Sequence, residues 1–193
     1  VSTEGFKPVY FNEFLSGSLL AEWSTGGISE APSGQSFLGE LSNEMVGLTI
    51  DSLPAHGVIE ISFDLITKGT LDDNFTLTAD GTNVLETTFN VIADPEDGSL
   101  GYASGDKVYH VSLVIDHNEK SLDLEFSASG LGDISTEAWG LDNVQVNIDP
   151  PDTLETYKDV SIESVMNVNE TDGDTLTYEV VQQPLYGAVL ITD

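Results

Sequence analysis

The stretch from Val58 to Ile66 constrains the fold more than any other part of this chain, because its residues alternate between two kinds. In Ile59-Glu60-Ile61-Ser62-Phe63-Asp64-Leu65 every second residue is large and apolar, and the residues between them are polar. A period of two with one apolar face is the pattern of a strand that buries one side against a core. The sequence contains no capped apolar pattern of helical period longer than two turns. We therefore predict an all-β domain.

Other strand patterns recur at intervals of about 8–12 residues, which favours a jelly-roll-like β-sandwich. Turn signals separate them, and Asp80-Gly81 is a strong signal for a tight hairpin. A long loop rich in Asp and Gly is predicted at 92–106. The further strand patterns are Phe11–Phe14, Met45–Ile50, Phe75–Ala79, Val84–Val91, Val108–Ile115, Leu122–Ala128 and Val144–Val146.

A domain boundary is predicted at Asp149-Pro150-Pro151-Asp152, because two consecutive prolines form a stiff linker and cannot continue a central strand. We assign residues 1–149 to the sandwich and residues 150–193 to a linker and a short partial β segment. Two strand patterns follow the linker, too few for an independent core. The chain begins and stops as if cut from a longer protein.

The charge balance excludes several classes of partner. The chain has 34 acidic residues against 5 basic ones, all of them lysine, for a net charge of −29. Such a polyanion repels nucleic acids and anionic membrane surfaces. There is no cysteine, and no apolar run is long enough for membrane insertion. Carboxylates grouped in turns are the hard oxygen ligands that Ca²⁺ prefers, so Ca²⁺ is the predicted cofactor.

The first candidate metal site joins the loop Asp72-Asp73-Asn74 with Asp80, six residues further on. Short Asp and Asn side chains on turns can converge on Ca²⁺ and leave coordination positions for a ligand. The alternative is a solvated loop whose Asp and Asn side chains cap turns.

The second candidate region is the entry to the last strand. Glu137 and Trp139 are predicted to face the ligand, and Gly140 to allow a bend or a close approach. Jelly-roll modules often hold a structural Ca²⁺ between a first-strand carboxylate and a last-strand Asp, and Glu13 and Asp142 are the corresponding pair here. The alternative places Trp139 in the core and gives Asp142 the role of a turn cap.

Catalysis is not predicted. Acidic residues are numerous, but nothing selects one pair for glycoside hydrolysis. The sequence has no nucleophile elbow and no phosphate loop, and its three histidines are far apart. A glycan-active enzyme is the weakest of the alternatives.

The tail resembles the start of the cadherin-like or bacterial Ig-like repeats of large surface adhesins. The matching residues are Asp172-Gly173-Asp174-Thr175-Leu176-Thr177-Tyr178 and Gln183-Pro184 with Gly187. In those tandem repeats, acidic dipeptides near the junctions bind Ca²⁺ and stiffen the array.

The first domain resembles the lectin-like, Ca²⁺-dependent peptide-binding domains of RTX adhesins over most of residues 11–148. Leu71 and Asp73 stand where that family would have an aromatic residue and a glycine. The matching stretches are Phe37-Leu38-Gly39, Leu53-Pro54-Ala55-His56, Ile61–Leu65, Asp72-Asp73-Asn74, Thr87-Thr88-Phe89 and Trp139–Val144.

This resemblance implies a Ca²⁺-dependent module of a secreted or cell-surface bacterial adhesin, which attaches to cells or biofilm by gripping the C-terminal carboxylate of peptides. Surface glycans of a host cell are the alternative ligands, and a Ca²⁺-rigidified spacer is the alternative without a ligand. Asp193, with two carboxylates at the chain end, is a further candidate ligand for a neighbouring molecule's site.

Overall fold

The computed structural model of the chain describes residues 5–15, 17–69, 72–89, 92, 96–150, 180, 183 and 187–191. The chain divides into two compact units, Ser2–Thr153 and a second formed by Leu154–Asp193 with Val1. The strands described here all belong to the first unit. The partial repeat expected in 150–193 falls almost wholly outside the described residues and stays a prediction.

Eleven strands occur in the described part of the chain. They are β1 (Lys7–Asn12), β2 (Ile28–Glu30), β3 (Ser36–Leu41), β4 (Met45–Asp51), β5 (Val58–Lys68), β6 (Asn74–Ala79), β7 (Thr82–Thr88), β8 (Glu96–Asp97), β9 (Asp106–Asp116), β10 (Ser121–Ser129) and β11 (Ala138–Asp149). No helix among the described residues is long and apolar enough to cross a membrane.

The strands form two antiparallel sheets. The larger sheet has the order β2-β3-β11-β5-β9-β8, and β1 also pairs with β11. The smaller sheet has the order β4-β10-β6-β7. Inward side chains of both sheets pack into one apolar cluster. The predicted all-β sandwich is therefore confirmed.

The alternating apolar residues of β5 point into the core, as the sequence pattern predicts. Its four inward residues from Ile59 to Leu65 are each at most 2% exposed. Phe63 packs its ring 5.3 Å from that of Phe126 on the smaller sheet, and 6.1 Å from that of Phe75. Burying one such side chain contributes about 1.5–3 kcal/mol, so this face of β5 anchors the larger sheet to the smaller one.

β11 contains a bulge at Asn143. Its pairing with β5 sets Asp142 opposite Asp64 and then Gln145 opposite Ser62, so β11 carries one extra residue. Asn143 has a φ of 49°, in the left-handed region that Asn tolerates better than most residues. The bulge keeps apolar residues directed inward on both sides of it. These inward residues are Trp139, Leu141, Val144, Val146 and Ile148.

Two strands share one edge of β11. β3 pairs with its first half, where Trp139 is opposite Leu41. β1 pairs with its second half, where Lys7 is opposite Ile148. The first strand was predicted at Phe11–Phe14, but β1 runs from Lys7 to Asn12, so the two overlap only at Phe11 and Asn12. The first and last strands of the sandwich lie side by side.

The hairpin predicted at Asp80-Gly81 is confirmed, because these residues connect the paired strands β6 and β7. Their φ values are 49° and 74°, and positive values at both central positions are typical of a type I′ turn. The predicted loop 92–106 contains the two-residue strand β8, which pairs with β9.

Candidate functional site

The outer face of the larger sheet carries an open pocket of about 330 Å³. It lies over four neighbouring strands, β1, β11, β5 and β9. Its lining residues are Phe11, Ser62, Phe63, Asp64, His110, Val111, Ser112, Asn143 and Gln145.

The register of the four strands aligns one side chain from each of them in a row across this pocket. Phe11, Gln145, Ser62 and Ser112 stand opposite one another across four neighbouring strands. Phe11 closes the row at the β1 side and is 52% exposed. The row therefore offers a ligand one aromatic surface followed by three polar side chains.

Asp64 organises the next part of the pocket. Its Oδ1 lies 2.5 Å from Nδ1 of His110, and its Oδ2 accepts a hydrogen bond of 2.7 Å from Nδ2 of Asn143. The Asp64 side chain is 14% exposed and that of His110 is 58% exposed. The largely buried carboxylate thus fixes the orientation of two side chains that solvent can reach.

Glu60 holds a similar arrangement beside the pocket. Its Oε2 accepts a 2.8 Å hydrogen bond from Nδ2 of Asn147, whose Oδ1 accepts one of 2.8 Å from Nε2 of Gln145. The hydroxyl of Ser112 lies 3.5 Å from Oε1 of Glu60. The amides on this face therefore form a chain that ends on a carboxylate.

Asp142 lies just before the bulge and is 4% exposed. It accepts hydrogen bonds of 2.7 Å from Nε2 of Gln35 and 2.8 Å from the main-chain N of Asn143. Burial raises the pKa of the Asp142 carboxyl, and the two hydrogen bonds lower it. The negative charges of Asp64 and Glu13 raise the pKa further. The charge of Glu13 thus acts on Asp142, whereas a Ca²⁺ ion shared by these two residues stays a prediction.

A second group of predicted residues meets at the end of the sandwich where β6 begins. Burial raises the pKa of the Asp73 carboxyl, and the charges of Asp72 and Glu137 raise it further. A Cβ on Gly130 would lie 2.6 Å from Oδ1 of Asp73, so only glycine lets the two loops approach this closely. Oε2 of Glu137 accepts a 2.7 Å hydrogen bond from the main-chain N of Gly132.

Asp80 does not belong to that group, and the sequence prediction is corrected here. Asn74 begins β6 and Asp80 follows its end, so the whole strand separates them by about 20 Å. Asp80 instead accepts a 2.9 Å hydrogen bond from the main-chain N of Asp123 and lies 3.0 Å from Nε2 of His117.

The structure joins two histidines that are 61 residues apart in sequence. Nε2 of His56 lies 2.7 Å from Nδ1 of His117, and Nδ1 of His56 lies 2.6 Å from the carbonyl oxygen of Pro54. Both rings are buried. Sequence spacing gave no signal for this contact, because it arises where three loops meet at one end of the sandwich.

Trp139 is also corrected. It is 1% exposed, its indole nitrogen donates a 2.6 Å hydrogen bond to the carbonyl oxygen of Ser42, and its ring packs edge-on against Phe75. The ring has no face open to a ligand, because the inward phase of β11 directs it into the core. The alternative reading of Trp139 as a core residue is the one that the structure supports.

No group of three or more His, Asp or Glu side chains in the described ranges is arranged to hold a metal ion. Ca²⁺ at Asp72, Asp73, Asn74, Glu13 or Asp142 therefore stays a prediction. Asp193 lies outside the described residues, and so does the contact proposed for it.

No protein-family model matches the chain, and no curated protein matches it. Similar solved structures include dimeric latent PorU from Porphyromonas gingivalis, with 16% identity and a TM-score of 0.44 over 72% of this chain. An exo-β-1,3-galactanase from Phanerochaete chrysosporium has 18% identity and a TM-score of 0.40 over 63% of it. CBM35 from Cellvibrio japonicus Abf62 has 13% identity and a TM-score of 0.47 over 74% of it.

The chain spans 12% of the PorU chain, 26% of the galactanase and 94% of the CBM35. These similarities are too distant to carry an argument about what this chain binds. The class of the protein is defined by its own fold and surface: a β-sandwich with a polar, partly aromatic pocket on one sheet.

Proposed function

We propose that this chain is a non-catalytic glycan-binding module of a secreted or cell-surface protein, and that the outer face of the larger sheet holds the glycan. The observation that carries the proposal is the pocket of about 330 Å³ between Phe11 and the polar side chains around Asp64.

The chemistry of the pocket suits a sugar better than an apolar molecule. A pyranose ring has C–H groups on its faces and hydroxyls around its edge. The exposed ring of Phe11 can pack against the C–H groups. Gln145, Asn143 and His110 stand within the same pocket to exchange hydrogen bonds with hydroxyls.

A second candidate is the Ca²⁺-bridged grip on a peptide's C-terminal carboxylate. What favours it is that the charges of Asp72 and Glu137 raise the pKa of the Asp73 carboxyl, so the three carboxylates lie near one another without forming a ready-made metal site. Ca²⁺ takes 6–8 oxygens, so main-chain carbonyls, amides and water would have to complete the shell. An open coordination position on the ion would accept the carboxylate.

A binding panel with a matched pair of variants tests the first candidate. We expect Phe11→Ala to weaken glycan binding about two- to tenfold, because a ring contact contributes about 0.5–1.5 kcal/mol. Phe6→Ala is the control: Phe6 is 41% exposed but does not line the pocket. Isothermal titration with neutral, amino and acidic oligosaccharides measures both variants against the unmodified chain.

The same panel includes a peptide with a free C-terminal carboxylate and its amidated twin, each titrated with Ca²⁺ and with EGTA. Binding of the free peptide only in Ca²⁺, with no glycan bound, would replace the first candidate by the second. Equal losses in Phe6→Ala and Phe11→Ala would overturn the assignment of the site to the sheet face.

A further inference from the structure

We propose that the pocket on the larger sheet selects glycans that carry free amino groups, so that a glucosamine oligomer binds more tightly than its N-acetylated or carboxylate-bearing counterparts. This inference rests on the proposed glycan-binding function and specifies the class of sugar. It is carried by the direction in which the hydrogen bonds of this face run.

The charged groups around the pocket are predominantly acidic. Asp64 lines it, and Glu60, four residues before Asp64, lies on the same outward face of β5. His110 is the one basic side chain among the lining residues. A charged His110 would balance one of the two carboxylates and leave this face negative.

The donors on one side of the pocket are partly used, because an amide NH2 group has two hydrogens and one of those on Asn143 is already bonded. Asn143 donates its amide hydrogen to Asp64 at 2.7 Å, and His110 places Nδ1 2.5 Å from the same carboxylate. Oδ1 of Asn143 makes no hydrogen bond to another described residue. The amide oxygen is therefore left to meet a ligand.

On the other side of the pocket, amide N–H groups again donate toward a carboxylate and leave an amide oxygen open. Gln145 donates to Asn147, and Asn147 donates to Glu60, each at 2.8 Å. Oε1 of Gln145 has no hydrogen-bond partner within the described ranges. Each amide directs one donor along a chain that ends on a carboxylate, and the oxygens of Asn143 and Gln145 stay open beside Asp64 and Glu60. This arrangement favours a ligand that donates hydrogen bonds and carries positive charge.

A ligand that gains most from such a face donates hydrogen bonds and carries positive charge. An ammonium group provides three donors, no acceptor and a positive charge, whereas a carboxylate or sulfate provides only acceptors and a negative charge. A hydroxyl can donate, so neutral sugars are tolerated without the electrostatic gain. The expected order of affinity is amino, then neutral, then acidic sugars.

The probes are β-1,4-linked tetramers of glucosamine and of N-acetylglucosamine, and a tetramer of galacturonic acid, all titrated calorimetrically at one slightly acidic pH. The first two share a backbone and differ in their amino groups. We expect the glucosamine tetramer to bind about tenfold more tightly than the N-acetylated one, and added salt to reduce that preference.

A pair of charge-neutralising variants separates the pocket from the general charge of the molecule. Glu60→Gln keeps an oxygen for Asn147 but removes the charge, and we expect it to reduce the preference severalfold. Glu125→Gln is the control, because Glu125 is exposed on β10 of the smaller sheet and removes the same charge elsewhere. Circular dichroism during heating checks that both variants fold.

The results distinguish a failure of the amino-sugar preference from a failure of the glycan-binding function. Equal binding of the glucosamine and N-acetylglucosamine tetramers, or equal effects of Glu60→Gln and Glu125→Gln, would overturn the preference while the glycan-binding function stands. Tightest binding of the galacturonate would do the same. Failure of every oligosaccharide in the panel to bind would overturn the proposed function and this inference with it.

Discussion

Gly140 occupies the point where β11 passes closest to β3. A Cβ at this position would lie 2.5 Å from Cδ2 of Phe37 and 2.7 Å from the carbonyl oxygen of Leu38. Neither distance is available to a real Cβ, and the second involves main chain that cannot rotate away. The strand pairing that buries Trp139 and Leu141 therefore requires glycine between them.

Gly140→Ala adds one methyl group at this contact and so tests whether the packing of β11 against β3 requires glycine. We expect the free energy of unfolding to fall by about 1–3 kcal/mol, the usual effect of overpacking a filled site. Gly57→Ala serves as the control, because a Cβ on Gly57 would contact nothing within 4 Å. Urea unfolding of both variants measures the difference, and an equal effect at the two positions would contradict the argument.

The two neighbours Trp139 and Gly140 show what a sequence pattern can and cannot predict about single residues. The sequence predicted a bend or a close approach at Gly140, because glycine next to a strand has a local reason, and the structure has the close approach. The prediction that Trp139 faces the ligand is wrong, because the direction of this side chain depends on the phase of β11 relative to a bulge four residues later. The sequence has no local signal for which face of the strand is buried before that bulge.

At the scale of the strand, the bulge in β11 links the core to the pocket. Before it, odd-numbered residues such as Leu141 point inward; after it, even-numbered residues such as Val144 do so. One extra residue therefore lets the apolar side chains in both halves of this twelve-residue strand reach the core. It also directs the side chains of Asn143 and Gln145 into the pocket.

Replacement of Asn143 isolates the conformational requirement of this bulge. Asn143→Gly and Asn143→Val both lose the hydrogen bond to Asp64, but only valine is strained at a φ of 49°. We expect the valine variant to be less stable than the glycine variant by about 1–3 kcal/mol. Thermal and urea unfolding compare the pair directly, and equal stabilities would show that the left-handed conformation is not required.

At the scale of the whole molecule, the dominant quantity is the net charge of −29. Like charges repel one another in the compact state more than in the extended chain, so cations stabilise the fold. Salt screens this repulsion without selecting a site. A specific Ca²⁺ site would add a stabilisation that depends on the identity of the ion.

Melting temperatures in Ca²⁺, in Mg²⁺ at the same concentration and in EGTA distinguish these two effects. We expect Ca²⁺ to raise the melting temperature above that in Mg²⁺, with about 2.7 kcal/mol of stabilisation at a hundred times its dissociation constant. Asp73→Asn should reduce this increment, and Asp116→Asn, at the exposed end of β9, should not. A melting temperature in Ca²⁺ no higher than that in Mg²⁺ would exclude a specific Ca²⁺ site.

The sequence predicts the sandwich but not the pocket, and the reason is the range of the contacts involved. Alternation along β5 is local, so it indicates both the strand and its buried face. The pocket needs β5 beside β9 and β11, with Asp64 opposite His110. Pairing between strands so distant in sequence depends on the packing of the whole molecule, and no short pattern encodes it.

The side-by-side arrangement of β1 and β11 also has a mechanical consequence. In this antiparallel pair Lys7 is opposite Ile148, so tension applied at the start of β1 and the end of β11 would load that pair first. The hydrogen bonds would then open one after another, as in a zipper, and not all at once, as in a sheared joint. Because β1 carries Phe11, the peeling strand would take the aromatic wall of the pocket with it. A stretched molecule would thus dismantle the pocket before its core had opened.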